Sequence, residues 1–149
     1  MTTNVFRSLH ESPRGYNYRF VITHEDLTTA ADNTAQDITL VTLPAYSVVK
    51  SAATYLKTPF KQSDDASYNS NTVIVGDAGN DDRYIASQQI NENGSEVLAQ
   101  AQASTTPFAN TAATAVVAKF ASMASYSLAD LDTGEIHIFL EVAQLDSLT

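Results

Sequence analysis

The sequence predicts an all-β chain: an antiparallel β-sandwich of the jelly-roll sort over residues 16–149, preceded by an extended N-terminal arm over residues 1–15. Three observations predict it. Apolar and polar residues alternate near both ends of the domain, in "YNYRFVITH" (16–24) and "EIHIFLEV" (135–142), which is the two-residue period of a strand with one buried face. Between them, short β-branched runs are separated by polar, turn-rich stretches. No segment sustains a long amphipathic helical period, so six to nine short strands must build the core.

The first fifteen residues, "MTTNVFRSLHESPRG", carry no sustained period and end in Pro13 and Gly15, so they read as an arm. Tyr16, Tyr18, Phe20 and Ile22 then share one face of a strand. "EDLTTAADNTAQ" is polar and turn-rich, and "DITLVTLP" resumes strand character until Pro44 stops it. Residues 47–57, "SVVKSAATYLK", mix helix formers (Ala, Leu) with strand formers (Val48, Val49, Thr54, Tyr55), and a strand is expected. "KQSDDASYNSN" is a loop, "TVIVGD" a short strand, and "GDAGNDDR" (76–83) a glycine-bent corner directly after it. "YIASQQINENGSEVLAQAQAS" fits helix or strand, with a turn at "NENG". Ala99–Ala115 is expected to be a long loop with a short strand, with Pro107 and Phe108 near its tip. "TAVVAKF" (114–120) and "TGEIHIFLEVAQL" (133–145) complete the strands, the latter with Ile136, Ile138, Leu140 and Val142 on one face.

Composition narrows the function classes. The 149 residues suit one domain with one core, and 44% hydrophobic against 17% charged residues is globular rather than disordered. Eight basic residues against 17 acidic ones, spread without a cluster, give a net charge of −9 and argue against nucleic-acid binding, which needs a basic patch. The absence of Cys removes disulfides, thiol nucleophiles and zinc-thiolate sites. No apolar run reaches the roughly 18 residues of a membrane span, and the polar start lacks the apolar stretch of a signal peptide. A protein without membrane contact, made in the cytoplasm, is expected.

Candidate sites are few. An EF-hand loop starting at Asp77 would need oxygen ligands at its third and fifth places, Gly at the sixth and Glu at the twelfth; those places hold Gly79, Asp81, Asp82 and Gln88. A non-standard cation site on Asp77, Asp81 and Asp82 is the alternative to solvated aspartates in a turn, with Arg83 as a local countercharge. His10, His24 and His137 show no i, i+4 metal spacing, and the His24–Glu25–Asp26 group reads as a solvated strand end. Nucleophile-elbow, dinucleotide and phosphate-loop motifs are missing, and the pairs Asp64–Asp65 and Asp81–Asp82 lie in polar stretches without a sign of burial. The expectation is therefore no enzyme, no catalytic residue, no cofactor and no metal. Core packing accounts for Tyr16, Tyr18, Phe20, Phe120 and Phe139, while Tyr68 and Phe108, in apparent loops, are the aromatics available to a partner.

The pieces "YNYRFVITHEDLTTAADNTAQDITLVTLPAYSVVKSAA", "VIVGDAGNDDRYIASQQINENGSE" and "LADLDTGEIHIFLEV" together resemble small virion proteins of tailed bacteriophages, over about residues 16–143. The shared order is an aromatic strand leading into "ITHxDLT", a strand pair, a "VGDxG" corner followed by "NENG", and a closing "DTGEIHIxL" strand. The resemblance implies a structural protein on the outside of the capsid, a decoration or cement protein whose partners are the major capsid protein and itself, as a homotrimer. It implies location in the virion after synthesis in the bacterial cytoplasm. Val5, Phe6, Arg7 and Leu9 of the arm, with Phe108, are the expected interface residues. A tail or fibre component that binds a host glycan is the alternative, and the resemblance supplies no catalytic residue.

Overall fold

The computed structural model describes residues 1–5, 16–91, 97–99 and 108–145. Ten strands occur among them: β1 (Thr2–Val5), β2 (Tyr18–Thr23), β3 (Gln36–Leu43), β4 (Ser47–Lys61), β5 (Asn71–Asp77), β6 (Asn80–Gln89), β7 (Val97–Ala99), β8 (Phe108–Ala109), β9 (Thr114–Ser122) and β10 (Thr133–Gln144). One sheet runs β1-β2-β10-β4-β7, with β8 also on β4; the other runs β3-β9-β5-β6. Every pairing is antiparallel. The chain passes from one sheet to the other at β2–β3, β3–β4, β4–β5, β6–β7, β8–β9 and β9–β10. This wrapping is the double Greek key of a jelly roll.

Side-chain parity dictates the facing. Phe20 and Ile22 of β2, and Ile136, Ile138 and Leu140 of β10, are fully buried, as are Val73 and Val75 of β5 and Val116, Ala118 and Phe120 of β9. The two sheets meet through contacts such as Phe60 against Phe120, whose ring centroids are 6.1 Å apart. A buried polar contact also crosses between them, where the Thr54 hydroxyl donates to the Gln88 side-chain carbonyl. Two 3-10 turns, His24–Asp26 and Leu128–Asp130, close one end of the sandwich. Each opens on a capping box, Thr23 with Asp26 and Ser127 with Asp130.

Four expectations change. Thr2–Val5, read as part of an arm without strand character, pairs with β2 from Thr2↔Val21 to Val5↔Tyr18. Three of its four residues are polar, so its strand conformation comes from the edge of β2 rather than from its own pattern. Phe108 is not at a loop tip, because its backbone pairs with Val49. Tyr68 is not a surface aromatic: it is 2% exposed, its hydroxyl donates to the Ser127 carbonyl at 3.1 Å, and its ring stacks on Tyr126 at 4.6 Å. Phe139 is not core. It points outward with His137 and Glu135, and Tyr16 packs on it there, ring centroids 5.8 Å apart, rather than in the row of Phe20 and Ile22.

Candidate functional site

The "GDAGNDDR" corner is the densest polar cluster flagged by the sequence, and its geometry is that of a structural joint. β5 and β6 form a hairpin through Ala78 and Gly79, with Asp77 opposite Asn80, but the next ladder pair is Val75↔Ile85. Residues 81–84 therefore face Gly76 alone, a bulge that folds over it. A Cβ on Gly76 would stand 2.2 Å from the Asn80 carbonyl oxygen and 2.4 Å from the Asp81 carbonyl carbon, so no side chain fits.

Asp77 then locks the bulge. Its side chain is 4% exposed and accepts from the backbone N–H of Gly79 (2.9 Å) and Asn80 (3.1 Å), from Arg83 Nε (2.7 Å) and from the Tyr84 hydroxyl (2.9 Å). Burial alone would raise this carboxyl; Arg83, Tyr84 and the two N–H groups hold it below the ordinary aspartate value. Tyr84, buried and donating to Asp77, is pushed up to about 12. Asp81 instead turns outward to Lys119 Nζ at 2.7 Å. The three aspartates do not converge on a point: one is saturated by donors, one is paired across to β9, and Asp82 lies further along β6. A shallow cleft of about 590 Å³ beside the corner is lined by Asp37, Gly76–Asp81, Ala115, Val117 and Lys119. Because Asp77 and Asp81 are already engaged, we expect the melting temperature to be the same with calcium as with a chelator. A rise of several degrees in calcium would contradict this.

The other flagged motifs are also joints. In "ITHED", Asp26 accepts from Thr23 N (2.9 Å) and Oγ1 (3.2 Å) and pairs with the Met1 ammonium, so it does not join His24 and Glu25 in a ligand set. Among the described residues, no group of three or more His, Asp or Glu is placed to hold a metal. In "DTGEIHI", Asp132 accepts from Ser63 N (2.9 Å) and Oγ (2.8 Å). His137 Nε2 lies 2.8 Å from Glu135 Oε1, which also binds Lys57. Asp65 accepts from Ser67 N (2.8 Å) and from the Tyr126 hydroxyl (3.0 Å), while Asp64 is exposed. His10 lies outside the described residues.

Of the expected interface residues, Val5 is 58% exposed at the end of β1, and Phe6, Arg7 and Leu9 lie outside the described residues. Phe108 is placed by its backbone on β4. Sequence pattern alone does not single out Tyr46 and Leu145, which are 55% and 41% exposed and joined by the Leu145 N–H on the Tyr46 carbonyl at 3.0 Å. Tyr46 has φ +62°, the left-handed region, in the turn after Pro44. Its N–H donates to the Asn110 carbonyl, so the conformation is pinned on both sides. The signal was local: a proline-led turn with an aromatic where glycine or asparagine is the easier choice. Tyr46→Gly is expected to be neutral or to stabilise by up to about 1 kcal/mol, since it relieves the left-handed strain and loses little burial. A loss of 2 kcal/mol or more on denaturant unfolding would show that the side chain is structural.

No family model matches the chain, and no curated protein does. Among solved structures, a chain described as "Cyanophage Pam1 capsid asymmetric unit" is similar: 20% identical, covering 88% of this chain and 86% of that one, with a TM-score of 0.48. The likeness is weak on both measures. No helix among the described residues is long and apolar enough to cross a membrane.

Proposed function

We propose that this chain is a non-catalytic structural protein of a tailed-bacteriophage particle, bound to the outside of the capsid as a decoration or cement protein. One observation carries the reading: the residues through which the sequence resembles phage virion proteins are those that fix the jelly roll. Gly76 and Asp77 make the "VGDxG" corner, Thr23 and Asp26 cap the "ITHxDLT" turn, and Gly134 accommodates Phe60 in "DTGEIHIxL". Motif residues spent on the scaffold are what a structural role needs, whereas an enzyme family would place its most distinctive residues around a reacting atom.

The partners in this reading are the major capsid protein and two further copies of the chain. A weak contact per copy becomes strong when three engage together, which favours a homotrimer seated on a threefold position. The test is cosedimentation with purified empty shells, alongside a mass measurement of the free protein. Retention that saturates at a fixed ratio to the shell protein supports the reading. Failure to bind shells, with specific retention on host glycans, would replace it by the tail or fibre role.

A further inference from the structure

We infer that the β5–β6 corner is an acid-released latch: protonation of Asp77 frees the corner segment 78–83 while the sandwich around it stays folded. The inference is independent of the virion reading and rests on geometry. Apart from Asp77↔Asn80 this segment stands outside the ladder, and below it Val75↔Ile85, Val73↔Gln88 and Thr72↔Gln89 hold β6 to β5. Two carboxylate–cation contacts press it down, Asp77 on Arg83 and Asp81 on Lys119. No buried apolar side chain lies between Ala78 and Arg83, so lifting this stretch exposes no core; Tyr84 and Ile85, the next residues, are buried and mark where the release ends.

The charged and titratable groups around Asp77 fix the direction. Arg83 and Tyr84 face it from β6. Beyond them, Asp81 pairs with Lys119 of β9, and Asp37 of β3 faces that lysine. With the Asp77 proton absent, one carboxylate satisfies four donors, two of them the N–H groups that turn the hairpin. A proton removes the charge that Arg83 faces and takes up one acceptor site. Asp77 and Asp81 both ionise below the ordinary aspartate value in the folded protein. Their contribution is therefore complete above about pH 4 and is lost as pH falls through the folded values. The buried Asp77 carboxylate can shift the opening equilibrium by up to about tenfold per pH unit within that window, whereas the exposed Asp81–Lys119 pair is screened by solvent and adds little.

The test is a pH titration of the whole chain by NMR, following the Gly79 and Asn80 amides and the Arg83 Nε–H, with Ile138 as the reference for the sandwich. Protection is corrected for intrinsic exchange at each pH. We expect the three corner signals to lose protection together, several-fold, between about pH 4 and pH 3, while Ile138 stays protected. Asp77→Asn should show the low corner protection already at pH 7, with little further change to pH 3 and with Ile138 unaffected. Corner protection that persists to pH 3, corner and Ile138 protection lost at the same pH, or an Asp77→Asn protein that titrates like the wild type or fails to fold would each overturn the latch.

Discussion

Gly134→Ala is expected to lower the melting temperature by roughly 10 °C or more. Gly134 has φ +145°, a conformation that side-chain-bearing residues rarely adopt, and it lies against Phe60, which is fully buried. A Cβ there would stand 2.3–2.4 Å from two atoms of the Phe60 ring. The ring cannot swing aside freely, because it packs on Phe120 in the centre of the sandwich. Backbone strain of about 1–3 kcal/mol and overpacking of a further 1–3 kcal/mol combine to about 4 kcal/mol, and each kilocalorie is worth roughly 2–4 °C in a domain of this size. Phe60→Leu should recover part of the loss in the double variant by making room for the Cβ. Calorimetry decides: a Gly134→Ala melting point within 2 °C of the wild type would mean that the Gly134–Phe60 contact is looser than described.

Ile138→Asp should give no folded protein, whereas Glu141→Lys, three residues on along the same strand, should cost about 1 kcal/mol or less. Ile138 is fully buried between the sheets, so the substitution removes a core side chain and leaves a carboxylate without a partner, each worth several kcal/mol. Their sum is comparable with the roughly 5–15 kcal/mol by which whole domains are stable. Glu141 is on the other face, half-exposed, where it accepts from Lys50 (2.6 Å) and Ser51 (3.0 Å). A lysine there loses a surface ion pair of small net value and adds a like charge beside Lys50. Soluble expression and far-ultraviolet circular dichroism separate the two. Equal behaviour of the two variants would reverse the assigned facing of β10.

The regular strands of this fold were legible because parity and hydrophobicity agree in them. In β10, Ile136, Ile138 and Leu140 fall on one parity and Glu135, His137 and Glu141 on the other. Phe139 shows what happens when they disagree. Its parity places it outward, its hydrophobicity suggests the core, and parity prevails because a strand cannot turn one residue without a bulge. β4 runs for 15 residues, further than its composition suggested, and continues through Pro59 with register shifts against β10. β1 was invisible because an edge strand borrows its conformation from its neighbour, and Tyr68 was misplaced because a polar loop can deliver one aromatic to the core. The corner motif was read correctly as a turn. The burial of Asp77, however, depends on a bulge whose geometry no local pattern encodes. Tyr46 and Leu145 could not be paired from sequence, since 99 positions separate them and only the closing of β10 on β4 brings them together.

The most direct test of the proposed virion role is the copy number of this chain in purified particles of the phage that the proposal assigns it to, measured by quantitative mass spectrometry against the major shell protein. Hundreds of copies per particle are expected, in a fixed simple ratio to the shell protein, released as the outer layer is stripped and leaving the shell less stable. A handful of copies that fractionate with tails, or none in the particle, would contradict it.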